Sequence, residues 1–386
     1  MQHAEQTVTS PTPGTDAVLL NFSQVQIIPR VSFPALCPLL PGLMPAPVRC
    51  KKTFSLMLVW SVLVAPVQAD TPVLQSQFLY ETAPFPACHA ATVCEVPGGL
   101  LAAFFAGTDE GENDVGIWTC RRQEARWQPP VLVAEGLEFG SRRLPCWNPV
   151  LVPLPDQRML LFYKVGPSPQ SWWGMFKESA DGGVTWTAPR RLPEGILGPV
   201  RNKPLWLGNR MLCGSSTEHD GWRVHQEWTD DLGQTWSRTP ALHTTERWGL
   251  IQPTLFKHSG DRVQILCRSQ QGRIVQLWSS DRGATWTAPE PIGLPNPNSG
   301  IDGVTLADGR HLLIYNHTER GRSPLNVALS DDGQTWKPAW TLEEEPGEFS
   351  YPAVIQTKSG TIEILYTWNR RRIRHVTLDA DRLTLP

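Results

Sequence analysis

The chain has 386 residues, with 35 Lys and Arg against 37 Asp and Glu, for a formal net charge of −2. That near balance, without any basic block, excludes a nucleic-acid partner held through phosphate contacts. The length suits one large domain or two small ones, and the 8 cysteines show no CxxC spacing, so neither a metal nor another cofactor is expected.

In chain order, residues 1–43 are rich in Pro and Thr and suggest no role. A basic stretch (Arg49, Lys51, Lys52) then precedes an apolar run from Phe54 to Val64, which ends in Val67-Gln68-Ala69. This is the layout of a secretory signal peptide cleaved after a small residue. The run is short for a bilayer span, and no later stretch is apolar enough for one. Residues 1–43 therefore read as an extension, 44–69 as a signal peptide and 70–386 as the exported chain, periplasmic or secreted. The exported part carries six cysteines, and export permits disulfides without fixing their pairing. A monomer is expected.

The rest of the chain repeats itself. "SADGGVTW" begins at Ser179, and "TDDLGQTW", "SSDRGATW" and "LSDDGQTW" begin at 229, 279 and 329, a period of 50 residues. Each unit reads as three short β segments, a turn carrying the repeated phrase, and a fourth strand. Such units, repeated at this length, make an all-β six-bladed β-propeller. Blade one opens at "AATVCEV", and blades two, three and four open at "NPVLVPL", "KPLWLG" and "QPTLF". "GVTLAD" starts blade five and "PAVIQT" starts blade six, which lacks a fourth strand. Val73–Tyr80 has no blade of its own, so it is expected to supply that strand and close the ring. Asp181, Asp231, Asp281 and Asp331 are read as acceptors inside the turns, the glycines two residues on as turn formers, and the tryptophans as packing. Identical carboxylates spread round a ring cannot all serve one catalytic centre.

The chemistry is expected where inner strands begin. His89 lies 11 residues before Leu100, and the same offset separates Asn148 from Met159, Gln252 from Val263 and Tyr351 from Ile362. Asn148, Lys203, Gln252 and Tyr351 each precede a proline, and Asn202 adjoins Lys203. Polar residues at one register converge on the axis of a propeller. Arg268 and Arg322 join them, and their guanidinium forks suit a carboxylate. The loop "AGTDEGENDVGIW" offers Asp109, Glu110, Glu112 and Asp114 as general acids.

With four such phrases on a six-bladed pattern, the chain resembles the sialidase (neuraminidase) superfamily of Asp-box, or BNR-repeat, proteins over nearly all of Val73–Asp379. The resemblance implies an exo-glycosidase that holds a terminal acidic sugar by its carboxylate, most simply sialic acid, and needs no metal. It implies Arg268 and Arg322 as carboxylate ligands, Tyr351 in "FSYPAV" as nucleophile, and Asp114 or Glu110 as acid/base. Asn148, Lys203 and Asn202 are then substrate contacts. Two positions depart from the family's pattern. His89 stands where an arginine belongs, and Gln252 where a glutamate assists the tyrosine. A glutamine cannot take a proton, whereas a histidine can act as base or cation. Two other readings follow: a glycosidase or lyase acting on uronate-linked glycans through His89, and a carbohydrate-binding propeller without catalysis.

Overall fold

The apolar runs of the sequence become the second strands of their sheets. Gly99–Gly107, Met159–Val165, Val263–Ser269, His311–Tyr315 and Ile362–Trp368 are buried almost end to end. A strand covered on both faces needs no polar alternation. The computed structural model describes residues 71–136, 138–139 and 142–384. The extension and signal peptide expected over 1–69 lie outside the described residues.

The expected six-bladed propeller is what these strands build. Blade two runs Cys146–Pro153, Met159–Val165, Trp173–Ser179, Arg190–Arg191, each strand antiparallel to the last. Blades three, four and five repeat this order from Leu205–Leu207, Leu250–Lys257 and Asp302–Thr305. In blade one the fourth strand is split, and Arg126–Trp127 and Val131–Ala134 both pair with Gly116–Gln123. First strands of neighbouring blades pack on one another and line the centre.

The ring closes as the sequence implied. Val73–Phe78 pairs antiparallel with Arg372–Leu378, from Val73 opposite Leu378 to Phe78 opposite Arg374. Blade six thereby gains its fourth strand. The core consists of six apolar clusters, one at each blade interface. The cluster between blades six and one joins Leu365 and Ile373 to Leu100 and Phe104. The described cysteines Cys88, Cys94, Cys120, Cys146, Cys213 and Cys267 are buried free thiols.

The repeated turn follows the third strand and fastens each blade to the one before it. Asp231 accepts from Gln234 N, Thr235 N, Thr235 Oγ1 and Thr229 Oγ1 at 2.6–3.0 Å. Gly233 and Gly283 adopt φ of 94° and 88°, which only glycine takes freely. The tryptophans dock on the preceding blade: Trp186 in the cluster of blades one and two, Trp336 in that of blades four and five. One expectation is corrected. In the fourth turn the acceptor is Asp332, not Asp331, because Ser330 starts a turn one residue shorter and Asp332 takes the bonds from Gln334 N and Thr335 N.

These bonds hold the Asp231 carboxyl down at about 2, the Thr235 hydroxyl contributing most. A depressed carboxylate stabilises the fold above its unfolded pKa, near 4, and the contribution fades as pH falls toward 2. Asp231→Ala is expected to cost roughly 1 kcal/mol, low in the hydrogen-bond range because the turn is partly wet. The difference between variant and parent in melting experiments should shrink below pH 4, and turnover of the folded variant should match the parent.

Candidate active site

Strand pairing defines the ring at the centre. In successive blades the inner strand meets the first or second residue of the second strand at Glu95–Leu100, Pro153–Met159, Trp206–Met211, Lys257–Val263, Thr305–His311 and Gln356–Ile362. Five residues back from each inner partner stand Ala90, Asn148, Arg201, Gln252, Gly300 and Tyr351. Asn148, Gln252 and Tyr351 share the register, as the offsets implied. His89 lies one residue before its blade's position, and Lys203 two after, with Arg201 in its place. The hairpins of blades one and three are one residue shorter than the other four, and blade three carries its proline later, so prolines and offsets misalign there.

Ala90, Asn148, Gln252 and Tyr351 have φ of 55°, 41°, 53° and 51°. In each case the strand register slips at that point, the mark of a β-bulge. The bulge re-aims the side chain, which is how Tyr351 turns into the channel instead of alternating along the sheet.

A second tier supports the ring from five residues into the second strands, and each member reaches the next blade. Ser216 Oγ accepts from Gln252 N (3.2 Å), Lys164 Nζ donates to Pro199 O (2.7 Å), and Asn316 Nδ2 donates to Phe349 O (2.9 Å). Thr367 Oγ1 bonds His89 Nδ1 at 2.9 Å. Lys164 is wholly buried, and burial pulls its ammonium down to about 7. Arg268 occupies this tier in blade four.

Tyr351 is the hub. Its Oη accepts from Arg268 Nη1 at 2.7 Å. The guanidinium carbons of Arg201, Arg268 and Arg322 lie 5.3, 5.6 and 6.0 Å from its ring centre. His89 packs on the ring at 4.1 Å between centroids. Gly300 makes room, since a Cβ there would stand 3.3 Å from the ring. Every N–H of Arg268 has a partner: Asn298 Oδ1 and O through Nε and Nη2, and Gln252 Oε1 and Tyr351 Oη through Nη1. Arg322 donates to Ser299 Oγ at 2.8 Å and Asn298 O at 3.2 Å.

The histidine is neutral. Burial pushes the His89 imidazolium well below the usual histidine range, and Arg370, Arg322, Arg201 and Arg268 push it the same way. Its Nε2 is buried and has no partner among the described residues. A neutral histidine cannot serve as a cation for a carboxylate. Its depressed pKa stabilises the fold above the unfolded value near 6.5 and works against it as pH falls further. Nitrogen NMR of the His89 ring is expected to show the neutral form throughout pH 6 to 8, whereas a midpoint near 6.5 would contradict this electrostatic picture.

The remaining expected residues divide. Asn148 is buried in the ring, and Asn202 Nδ2 donates to Gln252 O at 3.1 Å. Lys203 is drawn away: its ammonium pairs with Asp302 at 2.9 Å and lines a cavity with Lys257 and Thr305. Asp114 is spent on its own loop, accepting from Thr108 N and Oγ1 at 2.9 and 2.7 Å. Glu110 reaches the centre and pairs with Arg370, and both line a cleft with His89 and Asp109. Sequence reasoning missed Arg201, Asn298, Glu348, Arg370 and Glu218. Burial raises the Glu218 carboxyl, whose partner Trp222 lies 5.2 Å beneath the Arg268 guanidinium. A loop acid and one arginine of the run Arg370-Arg371-Arg372 carry no local signal, whereas Arg201 could have been found by counting back from the repeated turns.

The model of the BNR repeat-like domain matches residues 98–364. The chain belongs to that family. Among curated proteins it is similar to a sialidase of Bacteroides fragilis, 25% identical over 229 residues, 53% of this chain and 41% of that one. It is also similar to a sialidase of Micromonospora viridifaciens, 24% identical over 303 residues, 67% and 45% of the two chains. This BNR-repeat chain thus spans less than half the length of either relative. The intramolecular trans-sialidase of Ruminococcus gnavus superposes with a TM-score of 0.67 at 13% identity, over 82% of this chain and 99% of that one, and so shares the propeller fold. Among the described residues no helix is long and apolar enough to cross a membrane.

Proposed function

We propose that this BNR-repeat propeller is an exported exo-glycosidase that removes a terminal acidic sugar from glycans, with sialic acid the leading substrate. The observation that carries the reading is a tyrosine bulged into the channel with its oxygen bonded to one arginine and its ring facing two more. Packing alone does not call for so much cation around one phenol. Arg322 and Arg268 hold the sugar's carboxylate. Tyr351 Oη attacks the anomeric carbon as the bond to the leaving oxygen breaks, and Arg268 offsets the charge that moves through the tyrosine oxygen. Gln252 cannot take the phenol proton. His89, neutral and packed on the tyrosine, is the neighbouring group that can. The leaving oxygen takes its proton from Glu110, which faces the centre, rather than from Asp114, which its own turn holds. Water then attacks the anomeric carbon as the bond to Tyr351 breaks; one water proton returns to Glu110, and protonated His89 gives its proton back to the tyrosine oxygen.

A specific observation favours a second reading, a lyase on uronate-linked glycans. The unpartnered Nε2 of neutral His89 could remove the proton beside a uronate carboxylate while the bond to the leaving oxygen breaks and a double bond forms. Incubation with sialosides and uronate-capped glycans separates the two. Free intact acidic sugar supports the hydrolase, an ultraviolet-absorbing unsaturated uronate the lyase. Binding without any product supports a carbohydrate-binding propeller.

The base role fixes a pH profile. Activity should stay level through pH 6.5 and fall only in more acid solution, where His89 gains a proton. Activity that rises as the pH drops through this range would remove His89 from the base role.

A further inference from the structure

Arg201 is a buried cation that no carboxylate bonds among the described residues. It is 1% exposed. Its Nη2 donates to Pro352 O at 2.6 Å and its Nη1 to Asn202 Oδ1 at 3.4 Å, and its Nε is buried without a partner. The acid that bears on it, Asp302, is bonded instead to Lys203 Nζ, Thr254 Oγ1 and Val354 N, each at 2.9 Å. Burial pulls the guanidinium down from its usual range, but an arginine keeps its proton in a protein. A buried charge with only neutral partners costs stability.

The fold nevertheless builds a place for it. Residues 197–200, which lead into Arg201, are each tied. Glu227, wholly buried, accepts from Leu197 N at 3.0 Å and Gly198 N at 2.5 Å. Lys164 Nζ holds Pro199 O, and Val200 N donates to Gly214 O at 3.2 Å. The bond to Pro352 O fixes the far end of the side chain to the residue after Tyr351. This holds the guanidinium 5.3 Å from the centre of the Tyr351 ring, within cation–π reach. Arg201 lies too deep to touch a sugar. The group beside it that gains negative charge in the proposed reaction is the tyrosine oxygen, first as its proton passes to His89 and again as water displaces it from the sugar.

We propose that Arg201 is a positioning residue for the Tyr351 phenolate, a fixed counter-charge that acts through the tyrosine and never on the substrate. The inference rests on the tyrosine-nucleophile reading. A charge already in place when the phenolate forms needs no reorganisation, so it favours the transition state over the neutral phenol.

Turnover of a sialoside and a glucuronide, whichever the parent hydrolyses, tests this. Arg201→Met is expected to lower kcat about 30-fold or more at nearly constant KM. Its melting temperature should hold, because the desolvation cost leaves with the charge. A tyrosine fluorinated on its ring bears negative charge more readily. In place of Tyr351 it should recover most of the loss in Arg201→Met and change the parent little. Arg201→Lys should work at neutral pH and lose activity as the pH rises, because a buried ammonium sheds its proton, as wholly buried Lys164 is drawn down to about 7. The parent should stay level over the same range. If Tyr351→Phe is inactive while Arg201→Met matches the parent, or if the fluorinated tyrosine recovers nothing, the inference fails and the nucleophile stands. If Tyr351→Phe stays active, the nucleophile reading itself falls. Melting curves confirm folded protein. Should Arg201→Met not fold, Arg201→Lys decides, and a pH profile parallel to the parent's overturns the proposal.

Discussion

Tyr351→Phe is expected to lower turnover by about a thousandfold or more, with little change in substrate binding or melting temperature. The substitution removes one oxygen and keeps the ring. The ring makes most of the residue's contacts, with His89 at 4.1 Å and with the face of Arg201. Arg268 loses one acceptor but keeps Gln252 and Asn298, so its position should hold. Arg322, which anchors the carboxylate in this account, makes no hydrogen bond to the phenol. Binding and chemistry therefore separate, and a fall in kcat at nearly constant KM is the signature of a group used only in the reaction. A variant within tenfold of the parent would move the nucleophile elsewhere.

The second large effect is on stability. Removing residues 73–78 should cost roughly 3–5 kcal/mol, a large share of the 5–15 typical of a whole domain. The strand supplies the fourth position of blade six and pairs from Val73 to Phe78. Its loss uncovers the edge of Arg372–Leu378. It also strips Phe78 from the guanidinium groups of Arg372 and Arg374, which lie 3.6 and 4.5 Å from its ring centre. The interface between blades six and one is the one place where sequence-distant ends must meet, so damage there opens the ring instead of loosening one blade. Chemical denaturation of the truncated protein decides it, and a midpoint equal to the parent's would show that closure lies elsewhere.

Much of the fold was legible because repetition removes ambiguity. One eight-residue phrase at a fixed period names the unit, and an orphan strand beside a blade short by one names the closure. The fourth turn shows the limit of pattern matching: "SDD" offers two aspartates, and the position of Ser330 in space, not the alignment, selects Asp332. The site was legible where bulges, prolines and register coincide, as at Asn148, Gln252 and Tyr351. It was not legible at Lys203, where the same proline signal sits two residues past the ring and the lysine is consumed by Asp302. The charge state of His89 depends on burial and on four arginines from distant parts of the chain. Glu348 and Arg370 are tied across a hairpin by backbone bonds that no local sequence pattern reports.

That chemistry runs through Tyr351 is tested most directly by treating the protein with a fluorinated acidic sugar. Such a sugar is attacked like the substrate but leaves slowly. The account expects the intact mass to rise by one glycosyl unit, peptide mapping to place the adduct on Tyr351, and Tyr351→Phe to stay unmodified. An adduct on any other residue, or undiminished labelling of Tyr351→Phe, would contradict it.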